Sequence, residues 1–226
     1  MLRIHPGSRP YFSVIIPVFN RAHLLVRALD SLLQQTEKDW EALVVDDGST
    51  DMTGIRVHRY INDTRVRIRY LYHTHRGTAY SRNAGILAAS GRYITFLDSD
   101  DWYRPEHLRM RRRFLESHPD VDFLYGGLEV RGNPYVPDVY RPGRYIHVKE
   151  CAVAGTFVAP REVFMEIGGF PPVPFAEDAR LMEEVRRQGL NVVRLDIPTY
   201  VYDRTHRDST TFAFAAPLAL PGDDQT

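Results

Sequence analysis

The sequence predicts an α/β fold: a doubly wound, mostly parallel central sheet flanked by helices, with a smaller region after it. Three observations predict it. Apolar runs alternate with segments of helical periodicity from residue 12 to residue 101, which is the pattern of successive β-α steps. The runs Phe12–Val18, Trp40–Val45 and Tyr93–Leu97 are apolar almost throughout instead of alternating, as expected of strands buried on both faces. Two of them end in Asp-rich turns, Asp46-Asp47-Gly48-Ser49 and Asp98-Ser99-Asp100-Asp101, at the strand ends where open α/β sheets bind ligands.

Taken in order, Phe12–Val18 is a strand, and Asn20 is the expected N-cap of a helix whose buried face is Leu25, Ala28, Leu29 and Leu32, running to Gln35. Trp40–Val45 is the second strand, and its small polar residues from Asp46 to Asp51 make a turn into another β-α step. Val66–Leu71 alternates as a strand does, and the alanine-rich stretch Ala79–Ser90 is a helix ending at Gly91 as its C′ residue. After the acidic turn, Arg104-Pro105-Glu106 opens a helix that continues through Arg109-Met110-Arg111-Arg112-Arg113. That basic run reads as a solvated helix face, with an anionic lipid surface as the alternative. Gly126 to Gly143, rich in Gly, Pro and Tyr, reads as a long binding loop. A helix over Ala176–Gln188 and a strand over Asn191–Leu195 follow.

Composition bounds the function. The chain has 226 residues, 43% hydrophobic and 26% charged, with 29 basic and 29 acidic side chains. This is ordinary globular composition for one large domain, and nothing in the charge balance argues for a nucleic-acid partner. The expected layout is an N-terminal arm over 1–10, a main domain over 11–210 in two halves (11–101 and 102–210), and a tail over 211–226. Cys151 is the single cysteine, which suits a reducing compartment. Met1–Pro10 lacks a signal-peptide core, and no run approaches the length of a membrane span. These features predict a cytoplasmic protein. The apolar segment Phe212–Leu220 is a candidate for packing on the domain, for a partner, or for peripheral contact at the inner face of a membrane.

The acidic tetrad is the strongest chemical signal. Carboxylates so close repel one another unless a cation sits among them, and a hard divalent ion, Mg²⁺ or Mn²⁺, with oxygen ligands is the common answer. On spacing alone the tetrad is equally a turn capping the next helix. Arg82 is a candidate diphosphate partner, since a guanidinium matches phosphate oxygens bidentately. Its alternative is an exposed helix charge. Glu177-Asp178 begins a helix, where carboxylates are favoured by the dipole alone.

Six segments in order, Ser13–Asn20, Val45–Asp51, Ser81–Gly85, Phe96–Asp101, Glu177-Asp178 and Arg204–Ser209, resemble the family 2 glycosyltransferases of GT-A fold over residues 11–210. The resemblance implies transfer of a sugar from a nucleoside-diphosphate sugar to an acceptor hydroxyl with inversion. It makes 11–101 the nucleotide-sugar-binding half and 102–210 the acceptor half. Pro17, Phe19 and Asn20 then line the nucleotide pocket, and Asp98, with Ser99, lies near the ribose. Asp100 and His206 ligate a divalent metal (Mn²⁺ or Mg²⁺) bridging the phosphates, with Asp101 behind them. Asp178 is the general base. Asp46 would accept from a base N3–H, which uracil and thymine carry and cytosine lacks, so a UDP-sugar is the expected donor, with dTDP and GDP donors open. The acceptor is a saccharide, a lipid-linked glycan or a small molecule, and no motif encodes which. A nucleotidyltransferase is the weaker alternative because Ile15–Asn20 offers no Gly-rich triphosphate loop. An inactive sugar-nucleotide-binding or interaction module is disfavoured because Asp178, Asp100 and His206 are all present.

Overall fold

The computed structural model describes residues 9–62 and 67–205. Strand β1, Phe12–Val18, is buried along its whole length and lies between β2, Trp40–Asp46, and β4, Tyr93–Phe96, parallel to both. Strand β3, Ile68–Tyr72, extends the sheet beyond β2. Val14 and Ile16 enter one apolar cluster with Leu25 and Leu29, while Ile15 enters the other with Val45, Ile86 and Phe96. Both faces being covered accounts for the continuous apolar runs. Each such fully buried Ile or Leu contributes about 1.5–3 kcal/mol relative to exposure.

Pro17 lies in a central strand yet breaks no ladder. The Ile15 carbonyl bonds Leu97 N–H, and by the two-residue alternation of a strand the nitrogen of Pro17 faces the same side, beyond the last β1–β4 pair at Ile15↔Phe96. Proline is tolerated there because β4 has already turned away. The gap between these strand ends opens the cleft described below.

Helices α1, Ala22–Leu33, α2, Thr53–Ile61, and α3, Thr78–Ala88, make the crossovers. Gly85 lets α3 settle on β1, since a Cβ there would fall 2.4 Å from Ile15 Cγ2. Two expectations about termini are corrected. Asn20 does not cap α1; the cap position is Arg21, and the Ala22 N–H is met by Asp51 Oδ2 from the next loop at 3.0 Å. Gly91 is not a helix C′ residue, because the helix ends at Ala88 and a Cβ on Gly91 would sit 2.5 Å from the Ser13 nitrogen. Its smallness serves backbone contact with β1.

The second half contains β5, Trp102–Tyr103, α4, His107–Ser117, β6, Phe123–Tyr125, β7, Leu128–Gly132, β8, Tyr135–Pro137, and β9, Tyr145–His147. It continues with β10, Val158–Pro160, α5, Arg161–Glu166, α6, Glu177–Arg187, β11, Val192–Arg194, and β12, Tyr200–Arg204. The main sheet has the order β11-β6-β10-β4-β1-β2-β3, with β10 antiparallel to both neighbours. Strands β5, β12 and β7 form a small second sheet, and β8 pairs with β9 as a hairpin. The stretch Gly126–Gly143 is therefore not one long loop: it carries β7 and β8. The basic run on α4 is not wholly solvated either. Arg111 is 1% exposed and donates to Thr199 Oγ1 at 2.9 Å and to the Gly126 carbonyl at 3.0 Å, while Arg112 is paired with Glu37 and Glu116. Among the described residues no helix is long and apolar enough to cross a membrane.

Candidate active site

A cleft of about 670 Å³ opens at the carboxyl ends of β1, β2 and β4. One wall comes from the strand ends and the start of α3; the other comes from the β8–β9 hairpin, the turn Ala152–Val153, the segment Pro172–Phe175 and the start of α6. Of the residues expected at the site, Pro17, Phe19, Arg82, Asp98, Ser99, Asp100 and Asp178 all line it. His206 and the tail segment Phe212–Leu220 lie outside the described residues.

Asn20 and Asp46 do not line the cleft. Asn20 has φ 51° and stitches two loops together: its N–H donates to Ser49 Oγ and its Oδ1 accepts from the Thr50 N–H, each at 2.8 Å. Asp46 is 1% exposed, accepting from the Ser49 N–H at 2.7 Å and the Tyr70 hydroxyl at 2.5 Å. That bond, after burial, raises the Tyr70 pKa. The carboxylate that does reach the cleft is Asp47, which sequence reasoning passed over. It accepts from the N–H groups of Arg76 and Gly77 at 2.7 and 2.8 Å, and His75 Nδ1 lies 2.8 Å from its Oδ2. The His75 ring stacks on Phe19 with centroids 4.1 Å apart. Because strand side chains alternate, the two adjacent aspartates had to part here, one toward the Tyr70 side and one toward the cleft.

Arg82 is 5% exposed and clamped between Asp98 Oδ1 at 2.6 Å and Glu177 Oε1 at 2.5 Å, with Phe170 beneath it. Burial alone would lower its pKa, but Asp98 and Glu177 outweigh this and raise it. Arg82 thus joins the turn after β4 to the start of α6, and Glu177, a helix cap on the sequence alone, is its second partner. The only prior signal was its place beside Asp178.

Asp100 is 9% exposed; its Oδ2 meets Arg21 Nη1 at 2.8 Å, and its carbonyl accepts from Arg27. Burial raises its pKa, Arg21 opposes this and Asp98 adds to it. Asp101 lies deeper, accepting from the Tyr200 hydroxyl at 2.5 Å and the Asp203 N–H at 2.8 Å. Its pKa stands well above the carboxylate range because of burial and then of Asp100 and Asp98.

Among the described residues no group of three or more His, Cys, Asp or Glu gathers as a metal cage. The donor chemistry still fits Mg²⁺ or Mn²⁺. Two hard carboxylates, Asp98 and Asp100, line the same cleft, and such ions commonly take one or two carboxylates and complete their shell with substrate phosphates. Asp100 and Asp98 are the residues that would hold it.

Asp178 is half-buried in the first turn of α6, following Ala176 in the left-handed region at φ 59°. Its Oδ1 accepts from the Ala179 N–H at 2.8 Å and its Oδ2 from the Ala154 N–H at 3.4 Å. Burial, and then Glu177, push its pKa up to about 7, against the pull of Arg82 and the two backbone N–H groups. A carboxylate so placed exchanges a proton near neutral pH, which is what a general base requires.

This sheet, with an acidic strand end opening into a two-walled cleft, is the GT-A glycosyltransferase architecture. S. aureus TarS 1-349 in complex with UDP matches 85% of this chain and 60% of that one, with TM-score 0.71 and 26% identity. Mannosyltransferase PcManGT from Pyrobaculum calidifontis, in complex with GDP-Man and Mn²⁺, matches 86% of this chain and 57% of that one in fold, with TM-score 0.70 and 22% identity. The chain belongs to glycosyltransferase family 2: the family model Glycosyl transferase family 2 matches residues 13–150. An uncharacterized glycosyltransferase of Rickettsia felis is 43% identical over 106 residues, 47% of this chain and 17% of that protein. The Escherichia coli UDP-Glc:alpha-D-GlcNAc-diphosphoundecaprenol beta-1,3-glucosyltransferase WfgD is 32% identical over 151 residues, 67% of this chain and 52% of that protein. The chain thus spans about half the length of WfgD and less of the Rickettsia relative.

Proposed function

We propose that the chain transfers one sugar from a UDP-sugar to an acceptor hydroxyl by direct displacement with inversion. The observation that carries this is that Asp178, held near neutral pKa, shares one cleft with the acidic strand end at Asp98–Asp100. Asp178 takes the proton of the attacking hydroxyl as the bond to the anomeric carbon forms and the bond to the diphosphate breaks. Glu177 and Asp98 hold Arg82 charged on the floor between the two walls, where it favours the negative charge of the departing diphosphate. A divalent cation on Asp100 and Asp98, when bound, supplies Lewis-acid stabilisation of that charge. The β8–β9 hairpin and Pro172–Phe175 face the acceptor. UDP is the donor nucleotide supported by the UDP complex of TarS and by the name of WfgD. The name of WfgD also makes a lipid-linked saccharide the leading acceptor class, with peripheral membrane contact as its corollary.

On this reading Asp47, whose neighbour His75 stacks on Phe19, accepts from uracil N3–H in the role expected of Asp46. Calorimetry with Mn²⁺ should show UDP binding and CDP binding weaker by about 1–3 kcal/mol, because cytosine N3 sets a lone pair against the carboxylate where uracil offers an N–H. Asp47→Asn should narrow that difference. Equal affinity for UDP and CDP removes the carboxylate from this role. Equal UDP affinity with Mn²⁺ and with excess chelator removes the cation.

A further inference from the structure

We propose that Tyr200 is a positioning residue that ties the donor-side acidic turn to the acceptor-side base; the proposal rests on the glycosyltransferase reading above. Tyr200 opens β12 and is fully buried. Its hydroxyl donates to Asp101 Oδ2 at 2.5 Å, and the Asp98 N–H approaches the same hydroxyl oxygen at 3.4 Å. Asp101 Oδ1 accepts from the Asp203 N–H at 2.8 Å. One buried carboxylate therefore joins two residues of β12 to the turn that carries Asp98 and Asp100. A second link runs in parallel: Asp203 Oδ2 lies 2.8 Å from Arg27 Nη1, and Arg27 also donates to the Asp100 carbonyl.

The same hydroxyl reaches the opposite wall. A Cβ on Gly155 would fall 2.1 Å from the Tyr200 oxygen, so the hydroxyl occupies space that only glycine leaves open. Gly155 follows Ala154, whose N–H donates to Asp178 Oδ2 at 3.4 Å. One oxygen atom thus bonds the turn assigned to the donor and packs against the turn that supports the base. A group held from two sides in this way keeps both walls in register, as a site requires of its supporting shell.

Tyr200→Phe removes this oxygen alone, leaving the ring packed near Tyr103, whose centroid is 5.8 Å away. Two readings test it: UDP affinity by calorimetry with Mn²⁺, and the Asp178 titration midpoint by carboxyl ¹³C NMR in the ligand-free chain. The expected result is UDP affinity weakened about five-fold or more and an Asp178 midpoint moved by about half a pH unit. Wild-type values for both in the folded variant, even with a lower melting temperature, overturn the proposal and leave Tyr200 a packing residue. Should Tyr200→Phe not fold, Asp101→Ala removes the acceptor of that bond and is read the same way. A wild-type chain that binds no UDP defeats the UDP-sugar reading of the cleft, and the Asp178 midpoint in the variants then decides the tie by itself.

Discussion

At Asp178 the same carboxyl is pushed up by burial and by Glu177 and pulled down by Arg82, and it settles at about 7. In the unfolded chain it would ionise near ~3.9. Between those values the folded chain holds the extra proton, so stability falls as pH rises through the window, and Asp178→Asn should flatten that part of the profile. If Asp178 is the base proposed above, turnover should run the other way, increasing as pH passes 7. Asp178→Asn should leave UDP affinity nearly unchanged and lower transfer by about 10²–10⁴-fold. A variant turning over at the wild-type rate reduces Asp178 to a helix cap, and one that loses UDP binding moves it to the nucleotide side. At this scale most of the cleft was named through the resemblance of its motifs to the family, and periodicity contributed only that those motifs stand at strand ends and helix starts. Asp46 and Asp47 could not be told apart, since which of two adjacent side chains faces the cleft depends on the strand's rotation in the sheet. Arg111 was hidden for a related reason: its burial depends on Thr199 and Gly126, remote in sequence, coming to meet it.

Among the elements, the contact of β1 with the loop after α3 rests on Glu41. Its Oε1 accepts from the Ser13 hydroxyl at 2.6 Å, the Ser90 N–H at 2.7 Å and the Ser90 hydroxyl at 2.6 Å, and Arg69 stands 3.6 Å from its Oε2. Burial by itself would raise this carboxyl, but those bonds overcome it and hold its pKa below the ordinary value. The stability it lends is therefore present above the unfolded pKa of about 4.3 and is lost as pH falls through the lowered folded value. Glu41→Gln should cost about 1–3 kcal/mol in denaturant unfolding at neutral pH and should lessen the loss of stability on acidification. An unchanged midpoint would show the network to be incidental. The parallel strands β1, β2 and β4 were readable because both faces bury apolar side chains. Strand β10 was not, because three residues ending in Pro160 carry no periodicity, and their direction is fixed only by the slot between β4 and β6. The β8–β9 hairpin was unreadable in the same way, its Gly and Pro content masking short pairing.

For the whole molecule, a ligand that fills the cleft between both walls binds only the folded chain and must raise its melting temperature. At one hundred times the dissociation constant, UDP with Mn²⁺ should add about 2.7 kcal/mol, a shift of about 5–10 °C for a chain of this size. Chelator should remove most of it if the cation sits on Asp100. A shift identical with and without chelator would place the diphosphate on arginine alone. The insertion of β10 between β4 and β6 also decides whether the chain is modular. A first half cut after Asp101 would present Tyr93, Ile94 and Thr95 with their ladder partners Pro160, Ala159 and Val158 gone. Such an open, apolar strand edge invites pairing with another chain. Swapping the parts after Asp101 between relatives at this boundary should therefore yield aggregates. A workable chimera has to carry β10 over with the half it completes, so that the proposed acceptor-facing hairpin and Pro172–Phe175 segment are exchanged within an intact sheet.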